Sequence, residues 1–198
     1  MGIRVTNGKV VGKIRLDLRH KNTPFNMKAL YEFMHDWLLE EGFHDDTGSD
    51  KFLERYYWQQ TTERGKNIWF WWRTYAGEEK TKSSYFEYHI DMDFQILGMQ
   101  DVEVVIKDKK VKLNKAEIII TLRGYMVFDP KGLLSKHPII KTMYHIFPRF
   151  WLHKEIDMHK AAARKELYDF YAALKKYFEQ QNFGDTFPNF HPNMGIGH

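Results

Sequence analysis

Three side chains capable of metal binding and acid–base chemistry recur at every second position of one segment: His89, Asp91 and Asp93. Side chains two residues apart in a β-strand lie on one face, about 6–7 Å from each other. One imidazole and two carboxylates in such a row could bind a divalent cation or supply an acid and a base. A strand with one solvated face also requires polar residues at these positions, so both interpretations remain open.

Other catalytic and metal-binding signatures are missing from the sequence. The histidines between positions 137 and 159 are separated by steps of eight and six residues, which drift around a helix, and Pro148 interrupts them. None of the motifs for zinc proteolysis, nucleotide binding, serine hydrolysis or EF-hand calcium binding occurs. The chain has no cysteine, which excludes disulfides, thiolate ligands and cysteine nucleophiles. We therefore expect no cofactor.

Aromatic residues are abundant, with 15 Phe, 11 Tyr and 6 Trp in 198 residues. Some could line an apolar ligand pocket, whose expected wall is Tyr56, Trp58, Trp69, Trp71, Phe86 and Tyr88, with Phe147 and Trp151 closing its mouth. Trp69 and Trp71 share one face of their strand while Phe70 and Trp72 share the other. Alternation does not decide which pair faces the interior, and all these rings could instead fill a packed core.

The chain is mildly basic, with 30 Lys and Arg against 26 Asp and Glu. Residues 1–23 contain six basic residues and one acidic residue, and residues 131–182 contain ten and five. If both segments share one face, that face could contact RNA, an acidic protein or an anionic membrane. Trp71, Trp72 and Arg73 could add a stacking platform for single-stranded nucleic acid.

Residues 133–154 combine many apolar side chains with flanking Lys and Arg. This composition is typical of a helix lying in a lipid headgroup layer, and it also suits a lid packed on the open end of a sheet. No apolar run approaches the ~18 residues that cross a bilayer, and the first residues lack the apolar stretch of a secretory signal. We expect a soluble, cytoplasmic protein.

The elements that would position these residues begin with a strand and a helix. Residues 9–19 alternate, which predicts a half-buried strand with Val10 on the same side as Ile14. Thr23 and the following proline predict the start of a helix of about four turns that ends before Gly42.

From residue 52 to residue 128 the pattern is almost entirely β. We predict five successive strands in an antiparallel meander, because no crossover helix separates them. Turns are expected at 63–65, at 98–101 and at 108–110, and a bulge or bend is expected at Gly124.

The last third contains an amphipathic helix that begins near residue 157. Its apolar stripe has helical spacing and consists of Leu167, Phe170, Tyr171, Leu174, Tyr177 and Phe178. This stripe is the long apolar helical surface available to cover the sheet, so sheet and helix must bury each other. We predict an α+β fold, a curved antiparallel meander around a C-terminal helix, as one domain over residues 1–182. Residues 183–198 form a tail, flexible or docked on a partner.

This order of elements resembles the helix-grip fold of the START/SRPBCC superfamily, in which a curved sheet wraps around the last helix. The resemblance covers about residues 9–181 as element order, without a sequence motif. The chain departs from the family, which usually has two helices after the first strand and none corresponding to residues 133–152. The resemblance implies an apolar ligand between sheet and helix, whereas a generic α+β sandwich would give the same element order.

These patterns favour a non-catalytic binding protein. Its aromatic-lined interior would hold an apolar small molecule, or the domain would act as an interaction module. One alternative is a nucleic-acid or ribonucleoprotein-associated protein that uses the two basic segments. Others are peripheral membrane association through residues 133–154 and an enzyme that uses His89, Asp91 and Asp93.

Overall fold

The computed structural model describes residues 8–21, 23–45, 53–106, 109–137 and 152–182. Its strands and helices, in chain order, are β1 (Lys9–His20), α1 (Met27–Glu40), β2 (His44–Asp45), β3 (Glu54–Thr62), β4 (Gly65–Ala76), α2 (Glu78–Thr81), β5 (Phe86–Ile106), β6 (Lys109–Phe128) and α3 (His153–Asn182).

Within the described residues, six strands form one antiparallel sheet with the order β1-β6-β5-β4-β2. The strand β3 pairs with β4 on the same side as β2, so β2 and β3 follow one another along that side. The N-terminal strand pairs with β6, the last strand of the meander. The predicted α+β class is confirmed: an open, curved antiparallel sheet carries the C-terminal helix on one face, with an N-terminal strand and helix.

The predicted turn at residues 98–101 is wrong, because β5 runs unbroken from Phe86 to Ile106. Gly98 and Met99 both oppose Ala116 of β6, which makes them a bulge inside one long strand. Gly98 adopts φ +64°, a conformation that a residue without a Cβ reaches at little cost. The meander therefore has four long strands and not five.

A second bulge lies in β1, where the register with β6 shifts between Val11 and Ile14. The extra residue is accommodated at Gly12, which has φ +69°. Because of the shift, Val10 opposes Val127 and does not share a face with Ile14, contrary to the simple alternation. The bulge or bend expected at Gly124 of β6 is therefore found as a bulge in β1, the strand that pairs with this part of β6.

The helix α1 begins later than its sequence signal indicates. Asn26 is the N-cap, and its side chain accepts a hydrogen bond of 3.1 Å from the backbone of Ala29. The preceding Phe25 is fully buried and its backbone pairs with Asn114. This tertiary contact keeps the chain extended past Thr23, so the cap predicted there is wrong. The predicted end before Gly42 agrees with the last helical residue, Glu40.

Both long helices pack on one face of the sheet, which we call the inner face. Rings from the strands and both helices contact one another there. Between strands, Phe70 stacks on Phe94 with ring centroids 4.2 Å apart. From α1, Tyr31 meets Trp72 edge-on at a centroid distance of 4.9 Å, and the centroid of Trp37 lies 4.6 Å from that of Phe170 in α3. The strand and α3 residues at its centre are almost completely buried: Phe70, Trp72, Phe94, Leu122, Leu167, Phe170 and Leu174. Sheet and terminal helix bury each other, as predicted.

Gly124 sets how closely α3 approaches the sheet. A Cβ added at this position would lie 2.9 Å from Cδ2 and 3.2 Å from Cβ of Leu167. We predict that Gly124→Ala lowers the free energy of unfolding by about 1–3 kcal/mol, because the added methyl overpacks the interface. Gly77→Ala is the matched control, since its nearest neighbouring atom would be 3.9 Å away. Urea denaturation measures both, and equal stability of the two variants would contradict the prediction.

Candidate functional site

The opposite, outer face of the sheet carries a row of polar side chains across its central strands. Residues directly opposed in antiparallel strands share a face. Trp71 of β4 opposes Asp93 of β5, which opposes Thr121 of β6. The next row, one pleat away, contains Arg73, Asp91 and Arg123.

Asp93 lies between two guanidinium groups. Nη2 of Arg73 donates to its Oδ1 at 2.6 Å, and Nη2 of Arg123 lies 2.6 Å from its Oδ2. Arg73 is itself fixed by the backbone, since its Nη1 donates to the carbonyl oxygens of Trp72 at 2.7 Å and Met92 at 2.9 Å. The guanidinium of Arg73 also lies 5.7 Å from the centre of the Trp71 ring, within range of a cation–π contact.

Asp91 is more deeply buried than Asp93. Burial raises the pKa of Asp91 above its ordinary value, and the charges of Arg73 and Arg123 oppose that shift. The hydroxyl of Tyr125 donates to Oδ1 of Asp91 over a long 3.4 Å. Burial, followed by the charge of Asp91, raises the pKa of Tyr125 well above its usual range, so this phenol stays protonated.

His89 lies one pleat beyond Asp91 on β5, opposite Tyr75 and Tyr125, and is held by neighbours on two sides. Its ring stacks on Tyr125 with centroids 4.9 Å apart and planes 10° apart. Its Nε2 lies 3.3 Å from a carboxylate oxygen of Glu87, which is also buried. These contacts give His89 a packing role beside the ionic network.

These side chains form one side of a cleft of about 680 Å³, which we call the outer cleft. The apolar part of its lining comes from Ile14 and from the flat rings of Trp71 and Tyr125. Its charged lining consists of four cations and two carboxylates, namely Lys13, Arg15, Arg73, Arg123, Asp91 and Asp93.

The charges of the outer cleft do not cancel. Arg73 and Arg123 are offset by Asp91 and Asp93, and Arg15 lies 3.2 Å from Asp17. Lys13, in the β1 bulge, is exposed and has no ion-pair partner among the residues that the structure describes. The outer cleft therefore carries one surplus positive charge.

The aromatic wall expected from the sequence is divided between the two faces. Tyr56, Trp58, Trp69 and Trp71 lie together on the outer face, in two ring pairs that join β3 to β4. The Tyr56 and Trp71 centroids are 4.4 Å apart, and those of Trp58 and Trp69 are 4.5 Å apart. Of the four, Trp71 lines the outer cleft.

Phe86 and Tyr88 lie on the inner face, beneath α3. Phe86 stacks on His159 at 4.0 Å, and the Tyr88 hydroxyl lies 2.7 Å from Nδ1 of His159. Burial lowers the pKa of His159 and raises that of Tyr88 to about 12, so both are neutral near pH 7. The expected closing residues Phe147 and Trp151, and the tail 183–198, fall outside the described residues.

His89, Asp91 and Asp93 share one face, as the alternation predicts. In the part of the chain that the structure describes, no group of three or more His, Asp or Glu side chains has an arrangement that could hold a metal ion. The guanidinium groups of Arg73 and Arg123 contact the carboxylates instead.

Sequence reasoning did not single out Arg123, Tyr125 or Lys13 as site residues. The first two could have been found from the alternation in β6, because they occupy the positions that alternate with its inner-face residues Leu122, Gly124 and Met126. Lys13 had no comparable signal, since its position depends on the bulge at Gly12.

The described parts of the two basic segments meet beside Gly12. A Cβ at Gly12 would lie 3.2 Å from Cγ of Lys160 in α3. A groove of about 490 Å³, here called the basic groove, is lined there by Lys160, Arg164 and Lys165 together with Asp157. Lys160 pairs with Asp157 at 2.8 Å, whereas Arg164 and Lys165 have no ion-pair partner within the described ranges.

The segment 138–151, which contains most of the predicted lid or membrane-surface helix, lies outside the described residues. Among the helices that are described, none has the length and apolarity that crossing a membrane requires. Comparison with protein-family models and with curated proteins finds no match to this sequence.

Two aspartates on the outer face should change stability with pH in opposite directions. The pKa of Asp91 is raised above 3.8, mainly by burial, so the folded state holds this proton more tightly than the unfolded state. Asp91 therefore reduces stability as pH rises above 3.8. The pKa of Asp17 is lowered below 3.8, chiefly by the hydrogen bond from Thr121, so its stabilising effect is lost as pH falls below 3.8.

We predict that Asp91→Asn gains stability relative to the wild type as pH rises from about 3.5 to 6. Asp17→Asn should lose stability relative to the wild type as pH rises from about 2 to 5. Urea unfolding across this pH range measures both differences. If the stability difference from the wild type changed with pH in the same direction for both variants, the opposite pKa shifts of Asp91 and Asp17 would be contradicted.

Proposed function

We propose that this protein is a non-catalytic binding domain and that its ligand occupies the outer cleft. The observation that carries the proposal is the composition of that cleft, in which Trp71 and Tyr125 lie beside four cations and two carboxylates. A volume of about 680 Å³ is in the range of small-molecule sites, which combine apolar walls with a few polar groups.

The charge balance of the outer cleft indicates the ligand class. Lys13 supplies the surplus positive charge, and the Trp71 indole supplies a flat apolar surface. A compact molecule with one planar apolar ring system and one acidic group would satisfy both features.

Binding is favoured over catalysis because both carboxylates of the outer cleft are already engaged. Both oxygens of Asp93 contact guanidinium groups, which keeps this carboxylate from acting as a base. The described residues that line the cleft include no Ser, Thr, Cys or His that could act as nucleophile or proton shuttle.

The proposed location differs from the one that the helix-grip resemblance implies. That resemblance puts an apolar ligand between the sheet and the terminal helix. Here Trp72, Phe94 and Phe170 occupy the inner face and are almost completely buried. The proposal therefore keeps a binding function and assigns the ligand to the outer face.

Binding of 8-anilinonaphthalene-1-sulfonate tests this proposal, since the dye combines fused rings with one sulfonate. We expect saturable binding of one dye molecule, weakened about tenfold or more by Trp71→Leu and by Lys13→Gln. The fluorescence titration should be made at neutral pH with the fold of each variant checked by circular dichroism.

Two matched variants serve as controls for this titration. Trp58→Leu removes an outer-face ring that does not line the outer cleft, and Lys66→Gln removes an exposed lysine elsewhere on the sheet. Both should bind the dye like the wild type. Equal losses in the controls and in the cleft variants, or no binding at all, would refute the proposal.

A second candidate function is binding of single-stranded RNA through the basic groove. The observation that favours it is the pair of cations without ion-pair partners, Arg164 and Lys165, beside the basic strand β1. Phosphate contacts from Lys and Arg provide sequence-independent affinity that falls steeply with salt.

We predict that the double variant Arg164→Glu/Lys165→Glu loses most binding to a fluorescein-labelled oligouridine. The control variant Lys175→Glu/Lys176→Glu makes the same charge change farther along α3 and should lose much less. Wild-type affinity should fall at least about tenfold between about 50 and 200 mM salt. Similar losses in both variants would assign any binding to net charge alone and exclude the basic groove.

A further inference from the structure

The strand β3 forms an open edge of the sheet. It pairs with β4 along one side, and in the described part of the chain no strand pairs with its other side. Residues 55–61 are exposed on both faces of the strand. Three large rings are among them: Tyr56, Tyr57 and Trp58 are 42%, 52% and 43% exposed.

This edge lacks most devices that keep a strand edge from pairing. Natural edges are usually protected by lysine, by proline, by a bulge or by a covering element. Residues 56–62 have the sequence YYWQQTT, which contains no charge, no proline and no glycine. The bulge in β3 lies at its start, between Glu54 and Tyr56, and leaves this stretch in regular register with β4. Its residue types also favour extended structure.

The charges that flank this stretch are arranged symmetrically about Gln59. Glu54 and Arg55 precede it, and Glu63 and Arg64, which form the turn to β4, follow it. Within one chain Nε of Arg55 already lies 3.4 Å from Oδ1 of Asp45, so a contact with a second copy would share this guanidinium group. If two copies of β3 pair antiparallel about Gln59, Arg55 of one copy opposes Glu63 of the other. Glu54 likewise opposes Arg64, and a twofold axis repeats each contact.

We propose that two copies of this chain associate along β3, antiparallel and about a twofold axis at Gln59, so that one continuous sheet crosses the dimer. The exposed rings support this register, because Tyr56 and Tyr57 would oppose Thr62 and Thr61 of the second copy. Aromatic rings opposite β-branched residues are favourable cross-strand pairs. No residue of β3 is among those that line the outer cleft, so the inference does not depend on the proposed function.

Sedimentation velocity of the full chain tests the proposal over about a hundredfold range of concentration. We expect the mass to rise with concentration from 23.9 kDa towards twice that value. Gln59→Lys puts two like charges at the twofold axis and should raise the dimer dissociation constant at least about tenfold. Gln95→Lys is the matched control, an exposed glutamine changed on the central strand β5, and should leave the constant unchanged.

Charge reversal tests the register itself. Glu63→Arg should weaken the dimer, because it faces Arg55 of the second copy, and Arg55→Glu/Glu63→Arg should restore it. Arg55→Glu also removes the ion pair with Asp45 of the same chain, so circular dichroism must show that each variant keeps its fold. A wild-type chain that stays monomeric would overturn the proposal and leave the edge available to a strand of another protein. A dimer that Gln59→Lys weakens no more than Gln95→Lys would also overturn it.

Discussion

Both oxygens of Asp93 contact guanidinium groups, one from each neighbouring strand, and the outer face of the sheet is organised around this carboxylate. A charge at a partly buried position needs such partners, because removing one leaves the other without compensation. Arg73 is further fixed by two backbone carbonyl groups and lies against Trp71. The ionic network therefore holds one wall of the outer cleft in place before any ligand binds.

Two bulges determine which side chains meet in that network. The β5–β6 pairing starts at the turn between these strands. If β5 had no bulge at Gly98, that register would place Asp91 opposite Gly124 and Asp93 opposite Leu122. Those are inner-face positions, because a slip of one residue moves every side chain to the other face. The bulge returns the carboxylates to the outer face beside Arg123. The β1 bulge at Gly12 similarly accounts for the position of Lys13 at the outer cleft.

Local periodicity predicted most of the elements that build the fold, although it divided β5 at Gly98. Alternation in β5 separated His89 and Asp91 from Phe86 and Tyr88, and helical spacing identified α3. Partners between strands could not be predicted in this way, since register depends on bulges that the pattern does not mark. For this reason the expected ligand wall combined Trp71 with Phe86, which lie on opposite faces. The start of α1 was misplaced for a related reason, because the pairing of Phe25 with Asn114 is a tertiary contact.

A double-mutant cycle between Asp93 and Arg123 tests most directly whether this network organises the outer face. Asp93→Ala, Arg123→Ala and the double variant would be compared with the wild type by urea denaturation at neutral pH. Direct contact at 2.6 Å predicts a coupling free energy of about 1 kcal/mol or more. A coupling below about 0.3 kcal/mol would show that the two side chains act independently, and would contradict the register and the cleft derived from it.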